Sequence, residues 1–236
     1  MYPLIIGAIQ IIPAIILIVY GLVKQKRFQV YFDMLLMALP ATLFYGIFMR
    51  ILPEGLFEWY FYFFAKAILF LLPGLIIIRL RKYKLRDFGI TKERLRLSLL
   101  LGFGILIITT LTNAIIFIQN PEMTLAWSSQ FVSPSNLIMI WSIPLFFDAF
   151  NEEFLFRGIF FFFAYKNTEN LPLAYIVSMM VAFAWHPLTP FRMVPVFIQG
   201  TLLCYLLYKS KNIHGAWICH GINRTSSSVV AQLLMG

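Results

Sequence analysis

Glu152, Glu153 and Arg157 stand in the stretch "FDAFNEEFLFRGIFFFFAY", where almost every neighbour is apolar. Charges in such surroundings are costly, so each must be paired or serve a function. At about 100° per residue, a helix places Glu153 and Arg157 on one face, four residues apart and able to pair. Glu152 is turned about 100° from Glu153 and about 140° from Arg157, so it faces something else. A carboxylate left over in this way is suited to take a proton from water. His186, in "VAFAWHPLTP", ends an apolar segment just before a proline, where its imidazole can share a water with Glu152. His220, in "ICHGINRTSSS", precedes Asn223 and Arg224 by three and four residues. All three therefore occupy one side of a helix, and His220 with Asn223 forms a donor pair suited to a developing oxyanion. Gly215 and Gly221 allow another helix to come close beside that site.

These residues leave two chemistries open. One is hydrolysis by a water that a carboxylate and a histidine activate. The other is hydrolysis at a metal held by a glutamate and two histidines. The chain has no HExxH, no second histidine within a turn of the first and no cysteine ligand, so no metal and no cofactor are expected. Ser226, Ser227 and Ser228 lie in no GxS pattern, and serines are common where helices pack in membranes. Cys204 and Cys219 match no metal or redox spacing and read as small buried hydrophobes.

The elements that position these groups follow from composition. Of 236 residues 61% are hydrophobic and 12% are charged, with a mean hydropathy of +0.83. A soluble domain carries about 25% charged residues. The expected fold is all-α, a polytopic membrane bundle forming a single transmembrane domain over 1–236. About 20 apolar residues are needed to cross the hydrocarbon core. On that ruler spans fall near 2–23, 30–49, 56–78, 97–119, 137–165, 171–187, 193–208 and 213–234, about eight in all. The fifth is too long for one perpendicular span. With Pro144 inside it, it reads as two helices or one tilted and kinked helix. The first has no basic residues before it and reads as a retained helix rather than a signal peptide.

The formal charge of +9 collects between apolar stretches, which argues against nucleic acid and for topology signals and anionic lipid. Lys24, Lys26 and Arg27 follow the first span, and eight basic residues lie within 79–96. Lys166 follows the fifth span, and Lys209 and Lys211 follow the seventh. These connections alternate onto one side, expected to be cytoplasmic, with both termini outside. The stretch "RLRKYKLRDFGITKERLR" reads as a positive-inside anchor with a short interfacial helix after Gly89. Ionisable groups at membrane depth are Asp33, Lys66, Asp148, Glu152, Glu153, Arg157, His186, His220 and Arg224. Asp33 lies near a span end and can reach the interface. Lys66 either snorkels or pairs with an acid elsewhere.

"EEFLFRG" resembles the EExxxR motif of the CAAX protease and bacteriocin-processing (CPBP) family of intramembrane proteases. "AFAWHP" and "HGIN" approach the family's later motifs in the same order, so the resemblance covers about 137–225. It implies a bundle of about eight helices around a polar cavity. It also implies Glu152 as general base, His186 as its partner, His220 and Asn223 as oxyanion donors, and Glu153 with Arg157 as the supporting pair. The family's second motif usually has Phe four residues before the histidine, where this chain has Ala182. Its last motif has Asn four residues after the histidine, where this chain has Arg224, so either Asn223 or Arg224 completes the site. The expected activity is endoproteolysis of a membrane-embedded or prenylated peptide at the cell membrane. The alternatives are a non-catalytic peptide-binding immunity or regulatory protein on the same scaffold, and a proton-coupled transporter.

Overall fold

A computed structural model describes residues 2–24, 28–43, 56–128, 144–184 and 190–235. Among these residues the chain is all-helical, with no strand. The long helices are α1 (Tyr2–Val23), α2 (Phe28–Leu43), α3 (Leu56–Arg81) and α4 (Leu95–Gln119), followed by the short α5 (Pro121–Ser128). Then come α6, a continuous helical run over 144–168, α7 (Leu171–Ala184), α8 (Pro190–Ser210) and α9 (His214–Met235). A helix thus lies at every position where the sequence predicts a span. By length and composition two of them can cross a membrane by themselves, Leu95–Gln119 and, within α8, Met193–Ser210.

Large apolar side chains lie on the outer surface of the long helices. Phe64, Ile68, Leu72 and Ile76 of α3 are exposed, as are Leu100, Phe103, Ile107, Leu111 and Ile118 of α4. The interior, by contrast, buries Asp33, Lys66, Asp148, Glu152, Glu153 and Arg157. Pro13, Pro40, Pro73 and Pro195 sit inside helices. Membrane helices tolerate this because neighbouring helices and local adjustments satisfy the freed carbonyls.

The central element is α6. It winds as a π-helix over Pro144–Ala149, as an α-helix over Phe150–Glu153, as a π-helix over Phe154–Phe163 and as an α-helix over Ala164–Thr168. The described part of the fifth span is therefore one helix that changes its winding, without a break. Every side chain from Asn151 to Ala164 is buried, as a helix that is hydrophobic nearly all round must be. The π-helix is rare and favours functional sites, and here it flanks both glutamates.

The basic connections meet at one end of the bundle. Lys166 Nζ reaches Asp87 at 2.8 Å, and Arg94 donates to the Lys209 carbonyl at 3.1 Å. Tyr31 Oη reaches the Asn167 carbonyl at 3.4 Å, while Asp33 accepts from Arg81 at 3.2 Å and from Tyr83 at 2.8 Å. Asp33 is fully buried in this pairing. The short helix in the basic stretch, Leu85–Phe88, lies before Gly89 rather than after it. Gly89, at φ +79°, closes it in the left-handed region that only glycine enters cheaply. Its carbonyl then accepts Ile213 N–H at 2.9 Å.

Asn212 joins this end to the start of α9. Its Nδ2 donates to the carbonyls of Thr91 (2.6 Å) and Glu93 (2.9 Å), and its Oδ1 accepts the His214 N–H at 2.9 Å. Below it α4 and α9 touch backbone to backbone. A Cβ at Gly102 would lie 2.6 Å from the Gly215 carbonyl oxygen, and one at Gly215 would overlap the Ser98 carbonyl. Gly215→Ala is therefore expected to lower stability by about 1–3 kcal/mol through overpacking. Gly104→Ala, whose Cβ meets nothing within 4 Å, should be nearly neutral. Thermal unfolding in detergent measures both.

Candidate active site

Four helices supply the site. α6 carries Asp148, Glu152, Glu153 and Arg157, α9 carries His220, Asn223 and Arg224, α3 carries Lys66, and α4 carries Asn113. The depth follows from contacts at the basic end. A Cβ on Gly158 would touch the Phe88 carbonyl, and His214 begins α9 at the same level. Glu152 lies six residues before Gly158 and His220 six after His214, so both lie beyond that level, further from the basic end.

Glu153 and Arg157 meet across one turn, with Arg157 Nη1 3.0 Å from Glu153 Oε1. The Glu153 side chain is fully buried, and Arg157 lies 5.5 Å from the Phe156 ring centroid. The same Glu153 oxygen lies 2.7 Å from His220 Nδ1. An ionised carboxylate only accepts, so against it Nδ1 carries the proton. This contact aims the other ring nitrogen, Nε2, at Glu152 Oε2, 3.5 Å away.

Glu152 turns away from Arg157, and its Oε1 is bound by Lys66 Nζ. The same ammonium binds Asp148 Oδ1, and Arg224 binds the other oxygen of Asp148. The groups thus form one chain of contacts: Arg224, Asp148, Lys66, Glu152, His220, Glu153 and Arg157. Three carboxylates face three basic side chains, with one imidazole between two of the acids. Among the carboxylates Glu152 alone keeps measurable side-chain exposure, 9% against 0% for Asp148 and Glu153, and the neighbouring His220 keeps 13%.

Asn223 and Arg224 diverge. Asn113 Nδ2 reaches Asn223 Oδ1 at 3.4 Å and Ser227 Oγ at 2.8 Å, tying the Asn223 amide to α4 by its oxygen. Arg224 is occupied by Asp148. His186 lies outside the described residues, so its place relative to Glu152 is not part of this geometry. Among the described residues no three His, Cys, Asp or Glu side chains are grouped to hold a metal ion. Ser227 Oγ donates to the Asn223 carbonyl at 2.7 Å and Ser226 Oγ to the same carbonyl at 3.1 Å, so both are engaged within α9. Cys204 and Cys219 are buried thiols.

Two members of the site were less visible in the sequence. Lys66 sits 82 and 86 residues from its partners, and the sequence left its choice between snorkelling and pairing open. Asn113 carries no charge, and its one signal is an amide inside the apolar stretch "LTNAIIF".

Two adjacent glutamates, an arginine one turn on and a histidine bound to both acids form an uncommon set inside an apolar bundle. Residues 134–226 match the model of the family described as type II CAAX prenyl endopeptidase Rce1-like. The match is consistent with the CPBP family, which the motifs resemble. No curated protein and no solved structure matches the chain. The matched segment holds α6, α7, α8 and the part of α9 that carries His220, Asn223 and Arg224, whereas Lys66 and Asn113 lie before it.

Breaking a buried ion pair by removing one partner typically costs about 3–5 kcal/mol, because a charge is left uncompensated. Arg157→Met is therefore expected to destabilise the protein by about that amount. Arg157→Met combined with Glu153→Gln should recover much of the loss. Unfolding of the purified variants in detergent, followed by circular dichroism, is the measurement.

Proposed function

We propose that the protein is an intramembrane endopeptidase of the CAAX type, hydrolysing a peptide bond near the C-terminus of a prenylated or otherwise membrane-associated peptide. The observation that carries this reading is the pairing of Glu152 and His220. Glu152 alone of the three network carboxylates keeps some exposure, and the imidazole beside it does too. In this reading Glu152 takes a proton from a water as the water oxygen attacks the scissile carbonyl. The carbonyl oxygen becomes an oxyanion and accepts from the Asn223 amide, whose oxygen is engaged by Asn113, and from His220 Nε2, which donates when the ring carries a proton on both nitrogens. Glu152 then passes its proton to the leaving amine. Glu153 positions His220, Arg157 neutralises Glu153, and His186 assists the water.

Arg224 is assigned to Asp148 rather than to the oxyanion, because its guanidinium is already engaged there. The chemistry needs no metal, since the acid, the imidazole and the amide together supply proton transfer and charge stabilisation. The fold is read as eight membrane-spanning helices around the site, with the basic end in the cytoplasm and both termini outside. Such an orientation places Glu152 below the level of Phe88 and His214, on the side of a substrate whose lipid lies among the acyl chains.

Glu152→Gln preserves shape and removes the base. It is expected to reduce cleavage of a farnesylated CAAX peptide by about 10²–10⁴-fold, read by mass spectrometry on purified protein. Undiminished cleavage by the Gln variant would overturn the general-base role. Cleavage is also expected to survive chelators, and loss restored by zinc would defeat the metal-free mechanism. A non-catalytic binding protein would yield no cut product with the unaltered chain.

A further inference from the structure

Lys66 is the one cation of the network that comes from outside the segment matching the family model, and its side chain is 1% exposed. We propose that Lys66 is a positioning residue for hydrolysis, with Asp148 holding Lys66 in turn. The inference rests on the reading of Glu152 as general base.

The geometry carries it in three steps. First, burying an ammonium is expensive unless opposite charges receive it, and Lys66 is received by two carboxylates on adjacent turns of α6. Its stem lies along α3, and its ammonium is 5.8 Å from the centroid of Phe70, so it is held by its own helix as well. Second, Lys66 binds Oε1 of Glu152, while Oε2 faces His220 Nε2 at 3.5 Å. The carboxylate is thereby held in one rotation, with a defined oxygen on the side of the imidazole. Third, Asp148 links Lys66 to Arg224, and so ties α3 to α9 on the far side of Glu152. The base is fixed between two clamps, His220 on one side and Lys66 on the other.

A purely structural role, charge balance, makes a different forecast. Removing Lys66 alone leaves three carboxylates against two cations. Removing Lys66 and Asp148 together leaves two against two. If balance were all that mattered, the double variant Lys66→Met/Asp148→Asn would regain both stability and activity. If Lys66 positions Glu152, the double variant regains stability while turnover stays low.

The test uses the full chain in lipid nanodiscs and a fluorogenic farnesylated CAAX peptide. Lys66→Met is expected to lower kcat by about 10²-fold, the scale of a misplaced catalytic group, with KM within about twofold. Lys66→Arg should recover most of kcat. The double variant should unfold near the unaltered temperature yet keep the low kcat. A second readout needs no substrate: labelling of Glu152 by dicyclohexylcarbodiimide, which attacks protonated carboxyls in apolar surroundings, read by peptide mass spectrometry. Labelling should rise in Lys66→Met and in the double variant, and remain low in Lys66→Arg. Full kcat in the double variant, or Glu152 labelling unchanged in Lys66→Met, overturns the proposal. Should Glu152→Gln cleave normally, or the unaltered chain not cleave the peptide, the proposed function falls. The labelling comparison then still decides whether Lys66 holds Glu152.

Discussion

A charge within an apolar bundle is tolerable only when an opposite charge meets it, and the architecture of this protein follows from that constraint. Asp148, Glu152 and Glu153 are distributed over two turns of α6 and meet Lys66, Arg157 and Arg224. The cations come from three elements: α3, α6 itself and α9. The network therefore acts as a cross-brace, since separating α3 or α9 from α6 would expose an uncompensated charge to a medium that cannot solvate it. Two members each lie between two acids, Lys66 between Asp148 and Glu152 and His220 between Glu152 and Glu153.

Precision in this network depends on how closely the helices approach. The contact of Gly102 with Gly215 sets the separation of α4 and α9, and Asn212 sets the height at which α9 begins. Six residues further, that height places His220 level with Glu152, and nine residues further it places Asn223 opposite Asn113. Small residues and amides do this work because apolar contact alone gives little preference between one helix height and another when the surrounding medium is also apolar. The π-wound parts of α6 on either side of the glutamates belong to the same economy, as a wider turn lets four consecutive phenylalanines be buried around one axis.

Much of this was legible in the chain. The apolar stretches predict helices at the positions where they occur, because backbone groups in an apolar medium must bond within their own segment. The spacing of Glu153 and Arg157 implies their contact, since residues four apart share a helix face whatever surrounds them. The same wheel turns Glu152 away from Arg157. The short helix beside Gly89 was misplaced, because a glycine there reads equally as a start or a stop until its positive φ is known.

Periodicity within a segment therefore determines helices, local ion pairs and the outward turn of Glu152, all of which depend on residues within a few positions of each other. Contacts between segments were beyond its reach. That Lys66 pairs with Asp148 and Glu152 instead of snorkelling, that His220 bridges both glutamates, and that Arg224 goes to Asp148 while Asn223 goes to Asn113 are matters of which helices pack and at what height. A sequence states that a buried charge needs a partner. Which partner it finds is decided when α3, α6 and α9 come together, because pairing energy in an apolar interior depends on a separation of a few ångströms that no spacing along one chain segment encodes.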